Sequence, residues 1–148
     1  GSTVVILLAY ERQIILLWAG DSRAYRFREG QLTRITQDHT QVEELIEQGM
    51  LLREDAEDHP AANVVTRAVG AMDELYIDMD SQELRVGDTY LLCSDGLNKE
   101  LQEHEIAACL ARADDAKSSA RQLLDLALKR GARDNVTLVI TRAMERIT

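Results

Sequence analysis

Apolar residues in the first 35 positions fall into two pairs of short runs, which predicts two β-hairpins. Residues 3–10 and 13–19 are almost continuously apolar, and only two polar residues separate them. A strand without polar alternation is typical of one buried on both faces, so we expect both strands to be covered on both sides. Residues 23–28 and 31–35 form the second pair around Glu29-Gly30, with an alternation that leaves one face in water.

The hydrophobic period changes in the middle of the chain. Between residues 40 and 50, apolar side chains recur at i, i+3 and i+4, which predicts a short helix that stops at Gly49. Residues 52–72 show no regular period and contain the only proline, so we expect an irregular segment there. Strands are predicted at about 74–80 and 88–93, where β-favouring residues return.

The last third of the chain is mainly helical in pattern. Residues 102–112 and 115–130 each place apolar side chains on one face, and Gly131 is suited to end the second helix. Residues 136–141 are β-branched and apolar, which predicts a final strand. Mostly antiparallel strands with helices grouped near the end indicate an α+β fold, not the regular strand–helix alternation of a doubly wound sheet.

Composition and charge exclude several classes of protein. The chain has 148 residues, 45% hydrophobic and 29% charged, which suits one globular domain with a real core. A formal net charge of -9 argues against a surface for nucleic acid or an anionic membrane. Cys93 and Cys109 lack disulfide or metal spacing and have apolar neighbours, so we expect reduced, buried thiols of a cytoplasmic protein.

Three aspartates stand beside the predicted strands. Asp95 follows one strand, Asp134 precedes the last, and Asp21 lies between the two hairpins. Side chains at the ends of different strands can converge on one point, and carboxylates are ligands that Mg²⁺ and Mn²⁺ prefer. Each aspartate taken alone could serve only as a turn residue, since Asp is common in turns. The set of three beside apolar strands favours a site for divalent cations.

Residue spacing disfavours other catalytic chemistries. A thiol phosphatase would need an arginine six residues after its cysteine, but Lys99 takes that place after Cys93. The chain has no P-loop, no GxGxxG and no HExxH motif. The histidines lack metal-ligand spacing, so we expect surface or flap side chains at His39, His59 and His104.

Taken together, these residues give the chain a resemblance to the metal-dependent protein phosphatases, the type 2C serine/threonine phosphatase family, in its bacterial form. Five stretches carry the resemblance, in the family's order and over nearly the whole chain. They are GSTVVILL, WAGDSRAYRFREGQLTRITQDH, HPAANVVTRAVG, YLLCSDGLNKEL and GARDNVTLVI. The fold that the resemblance implies is an antiparallel β-sandwich flanked by helices, in α-β-β-α layers.

The resemblance also implies roles for the three aspartates. Asp95 of SDG and Asp134 of RDN match ligands of a two-metal centre of Mn²⁺ or Mg²⁺, and are the expected catalytic residues. Asp21 of GDSR matches the ligand of a third, weaker metal shared with Asp95. Residues 36–72 resemble a flap that influences substrate choice. In the complete enzyme, a metal-activated water would hydrolyse phosphoserine and phosphothreonine without a phosphoenzyme.

The resemblance is incomplete at the start of the chain. The family's N-terminal part supplies an acidic ligand, a phosphate-gripping arginine and a DG-x-GG motif, none of which stands in this sequence. We therefore expect residues 1–148 to be the C-terminal portion of one phosphatase domain, inactive alone. The alternative is a non-catalytic module of the same fold that binds a partner or ligand. Expected partners are phosphorylated proteins, a cognate serine/threonine kinase or its targets, and a second copy through an exposed sheet edge.

Overall fold

Two antiparallel sheets pack face to face in the computed structural model, which describes residues 1–146 of the chain. In chain order the elements are β1 (Val4–Tyr10), β2 (Gln13–Ala19), β3 (Arg23–Arg28), β4 (Gln31–Arg34), α1 (Gln41–Glu47), β5 (Asp78–Glu83), β6 (Thr89–Cys93), α2 (Asp95–Asn98), α3 (Glu103–Arg112), α4 (Ala116–Lys129) and β7 (Leu138–Arg142). The first sheet has the order β1-β2-β5, and the second has the order β4-β3-β6-β7. The predicted α+β fold with an antiparallel sandwich is confirmed.

Both predicted hairpins form, and local backbone chemistry explains the second turn. Strands β1 and β2 pair over their full lengths, from Val4 opposite Ala19 onwards. Between β3 and β4, Glu29 and Gly30 have positive φ angles of 51° and 79°. Two consecutive left-handed residues are the backbone of a type I′ turn, whose twist matches that of the strands it joins.

Apolar side chains fill the space between the sheets and the space under the helices. Ile14, Leu16 and Trp18 of β2 pack against Ala24 and Tyr90 of the second sheet. The other face of the second sheet packs on α3 and α4. Buried residues of this helical core include Tyr25, Leu91, Cys93, Ile106, Cys109, Leu110 and Leu123. Both cysteines are therefore buried free thiols, as predicted. Within residues 1–146, no helix is long and apolar enough to cross a membrane.

The outer face of the first sheet is open, so the expectation that β1 and β2 are covered on both sides is wrong. Ile6, Leu8 and Tyr10 of β1 are 39%, 50% and 75% exposed. The strand register places Leu17 and Met79 on the same face, beside Ile6. These five side chains form what we call the outer apolar face. It is open because the helices of residues 1–146 pack on the other sheet.

Two elements, one strand and one short helix, depart clearly from the sequence prediction. The strand expected at 74–80 runs instead over Asp78–Glu83, because these are the residues that pair with β2. The apolar residues that suggested an earlier start lie before the strand. The single helical turn α2 was not predicted, since four residues are too few to show a period.

Residues 36–72 form what we call the irregular segment, which lies beside the sandwich, and the irregular course of residues 52–72 is as predicted. It contains α1 and one turn of 3-10 helix at Arg53–Asp55. Thr40 caps α1 by accepting a hydrogen bond from the backbone N–H of Glu43 at 3.3 Å. An isolated bridge pairs Thr40 with Val65, so the outgoing and returning parts of the segment are joined.

Candidate active site

The three aspartates singled out in the sequence all line one cleft of about 830 Å³. Asp21 lies in the bend between β2 and β3, Asp95 begins α2 directly after β6, and Asp134 lies in the loop before β7. The irregular segment contributes the facing wall of the cleft. The structure therefore brings the predicted residues together, while their role as metal ligands stays a prediction.

Hydrogen bonds of Ser94 and a close contact of Gly96 hold the start of α2 against the loop of Asp134. The N–H of Ser94 donates to the carbonyl of Thr137 at 2.9 Å, and the Ser94 hydroxyl accepts from the Thr137 N–H at 3.0 Å. Gly96 packs so tightly that a Cβ there would lie 2.1 Å from the carbonyl oxygen of Asn135. Real Cβ atoms do not approach that closely, so only glycine allows this contact.

The ammonium group of Lys99 lies between two of the carboxylates. Its Nζ is 2.7 Å from Oδ2 of Asp95 and 3.9 Å from Oδ2 of Asp134. The hydrogen bond to Asp95 is the largest reason why the pKa of Lys99 lies above its ordinary value, and the charge of Asp134 adds to it. Asp95 and Asp134 thus face one position that a cation can occupy.

Asp21 is an acid in an unfavourable environment. Burial is the main cause that raises its pKa from 3.8 to about 6, and the negative charges of Asp95 and Asp38 raise it further. A cation that binds here would offset the repulsion between the carboxylates and stabilise the ionised form of Asp21. The bend that carries it is held by Thr3, whose hydroxyl lies 2.9 Å from that of Ser22.

These residues supply only part of the ligand set that a divalent cation needs. Lys99 shows that a positive charge fits between Asp95 and Asp134, and oxygen donors are those that Mn²⁺ and Mg²⁺ prefer. Within residues 1–146, however, no three acidic, histidine or cysteine side chains converge closely enough to hold a metal ion. The donor set therefore suits a shared cation position with an incomplete coordination shell.

The basic residues of the cleft were not predicted from the sequence. Arg23 donates to Asp38 through Nε at 3.0 Å and Nη2 at 2.7 Å, which is a bidentate ion pair. Lys99, the other basic residue, lies beside Asp95 and Asp134. Residues two apart in a strand or four apart in a helix share a side. The spacing from Asp21 to Arg23 and from Asp95 to Lys99 was therefore the available signal.

His39 lies within the irregular segment but not at the surface, so the expectation of a surface position is wrong for this side chain, which is only 6% exposed. The backbone N–H of Gly20 donates to its Nδ1 at 3.0 Å, and its Nε2 lies 2.8 Å from Oδ2 of Asp78. A buried histidine with both ring nitrogens in use is held firmly. No sequence spacing pointed to this, because its partners lie 19 and 39 residues away.

Comparison with known proteins gives a consistent set of relatives. No protein-family model matches the chain. The serine/threonine protein phosphatase PstP of Mycobacterium tuberculosis is 37% identical over 145 residues, which are 98% of this chain and 28% of PstP. The serine/threonine phosphatase stp of Listeria welshimeri is 32% identical over 140 residues, which are 95% of this chain and 56% of that protein. The chain thus spans little more than half, or less, of the curated relatives it matches.

Solved structures agree with the sequence matches. PppA, a key regulatory component of the T6SS in Pseudomonas aeruginosa, is 43% identical with a TM-score of 0.86, over 96% of this chain and 57% of that one. The catalytic domain of the serine/threonine protein phosphatase PstP, solved in complex with two manganese ions, is 35% identical with a TM-score of 0.86. That match covers 97% of this chain and 59% of the other.

Proposed function

Because the chain belongs to the metal-dependent type 2C serine/threonine protein phosphatase family, we propose that residues 1–148 form the C-terminal portion of one catalytic domain. The matches cover 95–98% of this chain at 32–37% identity, and the folds agree. The observation that carries the proposal is the placement of Asp95 and Asp134 around one cation position. Residues 36–72 stand beside that position, where a flap that selects substrates would lie.

The three aspartates are the residues that would hold divalent cations. Asp95 and Asp134 would share a Mn²⁺ or Mg²⁺ ion, and Asp21 would add a carboxylate for a further, weaker site next to Asp95. The two manganese ions of the related catalytic domain support two such ions here. When bound, the cations would act as Lewis acids on the phosphoryl oxygens and lower the pKa of an attacking water.

The substrates that fit this chemistry are phosphorylated proteins. The relatives are named as serine/threonine protein phosphatases, which supports phosphoserine and phosphothreonine as the groups hydrolysed. A cognate serine/threonine kinase or its targets are the partners we infer. The buried, unpaired thiols of Cys93 and Cys109 support a reducing, cytoplasmic location.

One observation favours the alternative of a non-catalytic module. No three candidate ligands converge in the part of the chain that the structure describes. A module of this fold would bind a partner through the cleft without turning over phosphate. The two functions differ in whether the aspartates bind divalent cations, so cation binding is the property to measure.

The test is calorimetric titration of the chain with Mn²⁺. We expect Asp95→Asn and Asp134→Asn each to weaken binding about 10-fold or more, because each removes a carboxylate from a site with few ligands. Asp125→Asn, on the exposed side of α4, is the matched control and should bind as the wild type does. Equal Mn²⁺ affinity in the wild type and all three variants would contradict the metal centre. The non-catalytic binding module would then be the remaining function.

A further inference from the structure

His39 joins three parts of the molecule that are far apart in sequence. Its ring accepts a hydrogen bond from the backbone N–H of Gly20. Its backbone N–H donates to the carbonyl of Gly20 at 2.9 Å. Its carbonyl accepts from the N–H of Thr66 at 2.8 Å, and its Nε2 contacts Asp78 of β5 at 2.8 Å. The ring also stacks on Trp18, with the centroids 6.3 Å apart. Both the ring and the backbone of this residue are therefore in use.

The hydrogen bonds assign the tautomer of the ring. A backbone N–H can only donate, so Nδ1 of His39 must accept from Gly20 and cannot carry a proton. The ring proton is then on Nε2, from which it is donated to Asp78. This is the arrangement in which a carboxylate fixes the orientation of an imidazole whose other nitrogen performs the task.

The bond to Gly20 acts on a backbone that has little freedom of its own to move. Gly20 has a φ of +117°, and a Cβ there would lie 2.4 Å from a side-chain carbon of Thr3. Its N–H and its C=O are both bonded to His39. Asp21 is the next residue, so the two peptide groups that flank Gly20 fix the backbone position from which the Asp21 side chain extends.

The bond to Asp78 acts on the irregular segment. Arg67 donates to Oδ1 of Asp78 at 2.8 Å, while His39 uses Oδ2. Burial tends to raise the pKa of Asp78, but hydrogen bonds from His39 and Arg67 outweigh it, so the pKa lies below its ordinary value. Asp78 is thus a carboxylate that receives one donor from each side, and it links the returning part of the segment to the ring.

We propose that His39 is a positioning residue that sets the placement of Asp21 through Gly20. It also couples the segment around Arg67 to the position of Asp21. The inference deepens the proposed phosphatase function and rests on it. It assigns the two ring nitrogens different tasks. Nδ1 holds the bend that carries Asp21, and Nε2 connects this bend to Asp78 and Arg67.

Two substitutions separate the tasks. His39→Asn keeps an acceptor near the position of Nδ1 and removes the donor at Nε2. His39→Gln keeps a donor near the position of Nε2 and removes the acceptor. Asp78→Asn tests the second task without any change to the ring. His59→Asn and His59→Gln are matched controls, because Nδ1 of His59 also accepts a backbone N–H, from Ala61 at 3.0 Å.

The first measurement is amide hydrogen exchange and imidazole ¹⁵N shifts by NMR without metal. We expect the wild-type ring to carry its proton on Nε2. His39→Gln should speed exchange at Gly20, whereas His39→Asn should leave Gly20 protected and speed exchange at Thr66. A proton on Nδ1, or equal exchange at Gly20 in both variants, would overturn the proposal. This readout decides the positioning role even if the chain binds no Mn²⁺, an outcome that would overturn only the proposed function.

The second measurement is Mn²⁺ affinity. His39→Gln should weaken binding roughly 3- to 10-fold, the effect of one lost neutral hydrogen bond, and His39→Asn should bind as the wild type does. In an Asp21→Asn background the two His39 variants should bind alike, since the residue they position is gone. A difference that persists in that background would show that His39 does not act through Asp21 and would overturn the inference.

Discussion

The ammonium of Lys99 occupies the position in the cleft that Asp95 and Asp134 face together. A divalent cation that uses both carboxylates must displace it. Lysine at this position therefore lowers the repulsion between the two aspartates in the metal-free chain and competes with metal for them.

We expect Lys99→Gln to strengthen Mn²⁺ binding roughly 3- to 10-fold, because the competitor is removed and the cleft becomes more negative. Calorimetric titration at constant ionic strength measures the change. Lys129→Gln, at the exposed end of α4, alters the net charge equally and should leave the affinity unchanged. Weaker binding in Lys99→Gln would show that Lys99 supports the site instead of competing for it.

Asp21 should make the metal-free chain less stable as the pH rises. Its pKa of about 6 in the folded chain exceeds the ordinary 3.8, so the folded state binds this proton more tightly. The stabilisation is complete below about pH 4 and is lost as the pH rises through about 6. Asp21→Asn should thus be more stable than the wild type at pH 7.5, by on the order of 1–2 kcal/mol after allowance for solvent screening.

Thermal unfolding in EDTA at pH 4.5 and pH 7.5 checks this expectation. The gain in Asp21→Asn should be present at pH 7.5 and nearly absent at pH 4.5, where the wild-type carboxyl group is protonated. Asp125→Asn should show no such dependence. A gain that is equal at both pH values would assign the effect to something other than the ionisation of Asp21.

At the scale of elements, the contact between the α2 turn and the loop before β7 decides how far apart Asp95 and Asp134 lie. We expect Gly96→Ala to lower the free energy of unfolding by roughly 2–4 kcal/mol, because its Cβ would collide with the Asn135 carbonyl. Urea unfolding measures the loss. Gly49→Ala, whose Cβ would meet open space at a φ of +74°, should cost only about 1 kcal/mol. Equal losses of unfolding free energy in the two variants would mean that the loop before β7 moves aside at no cost in stability.

The same elements show what the sequence could predict. Six strands and two long helices were located within a few residues, because they show either a short apolar run or a clear hydrophobic period. The strand Asp78–Glu83 was misplaced, because its bounds depend on β2, some 60 residues earlier, and its own residues are mostly polar. For the site, Asp21, Asp95 and Asp134 were found from turn chemistry and resemblance. His39 was not, since its partners are set by tertiary packing. Lys99 was not either, although its spacing of four residues from Asp95 was a local signal.

At the scale of the whole molecule, the sandwich has helices on one side only among residues 1–146. The outer apolar face therefore remains in contact with water, and β1 is also an unpaired sheet edge. An exposed apolar face beside an open edge favours association with another chain.

We expect the chain to self-associate, and Leu8→Lys to shift it towards the monomer, because a charge within the outer apolar face opposes contact between copies. Sedimentation velocity over a range of concentrations measures the shift. Val139→Lys is the control, since Val139 is 56% exposed on β7 at the edge of the other sheet. A wild-type chain that stays monomeric at high concentration would contradict the prediction.

Thr3 has a practical consequence for anyone who shortens or tags this protein. Its side chain fills the space over Gly20 and its hydroxyl lies beside that of Ser22, so a residue just before β1 supports the bend of Asp21. An affinity tag placed ahead of Gly1 leaves this support in place. Exopeptidase trimming past Thr3 would remove this support and loosen the bend at Asp21, which lies 18 residues further along the sequence. The integrity of the first three residues, checked by intact mass, is therefore a condition for comparing one preparation with another.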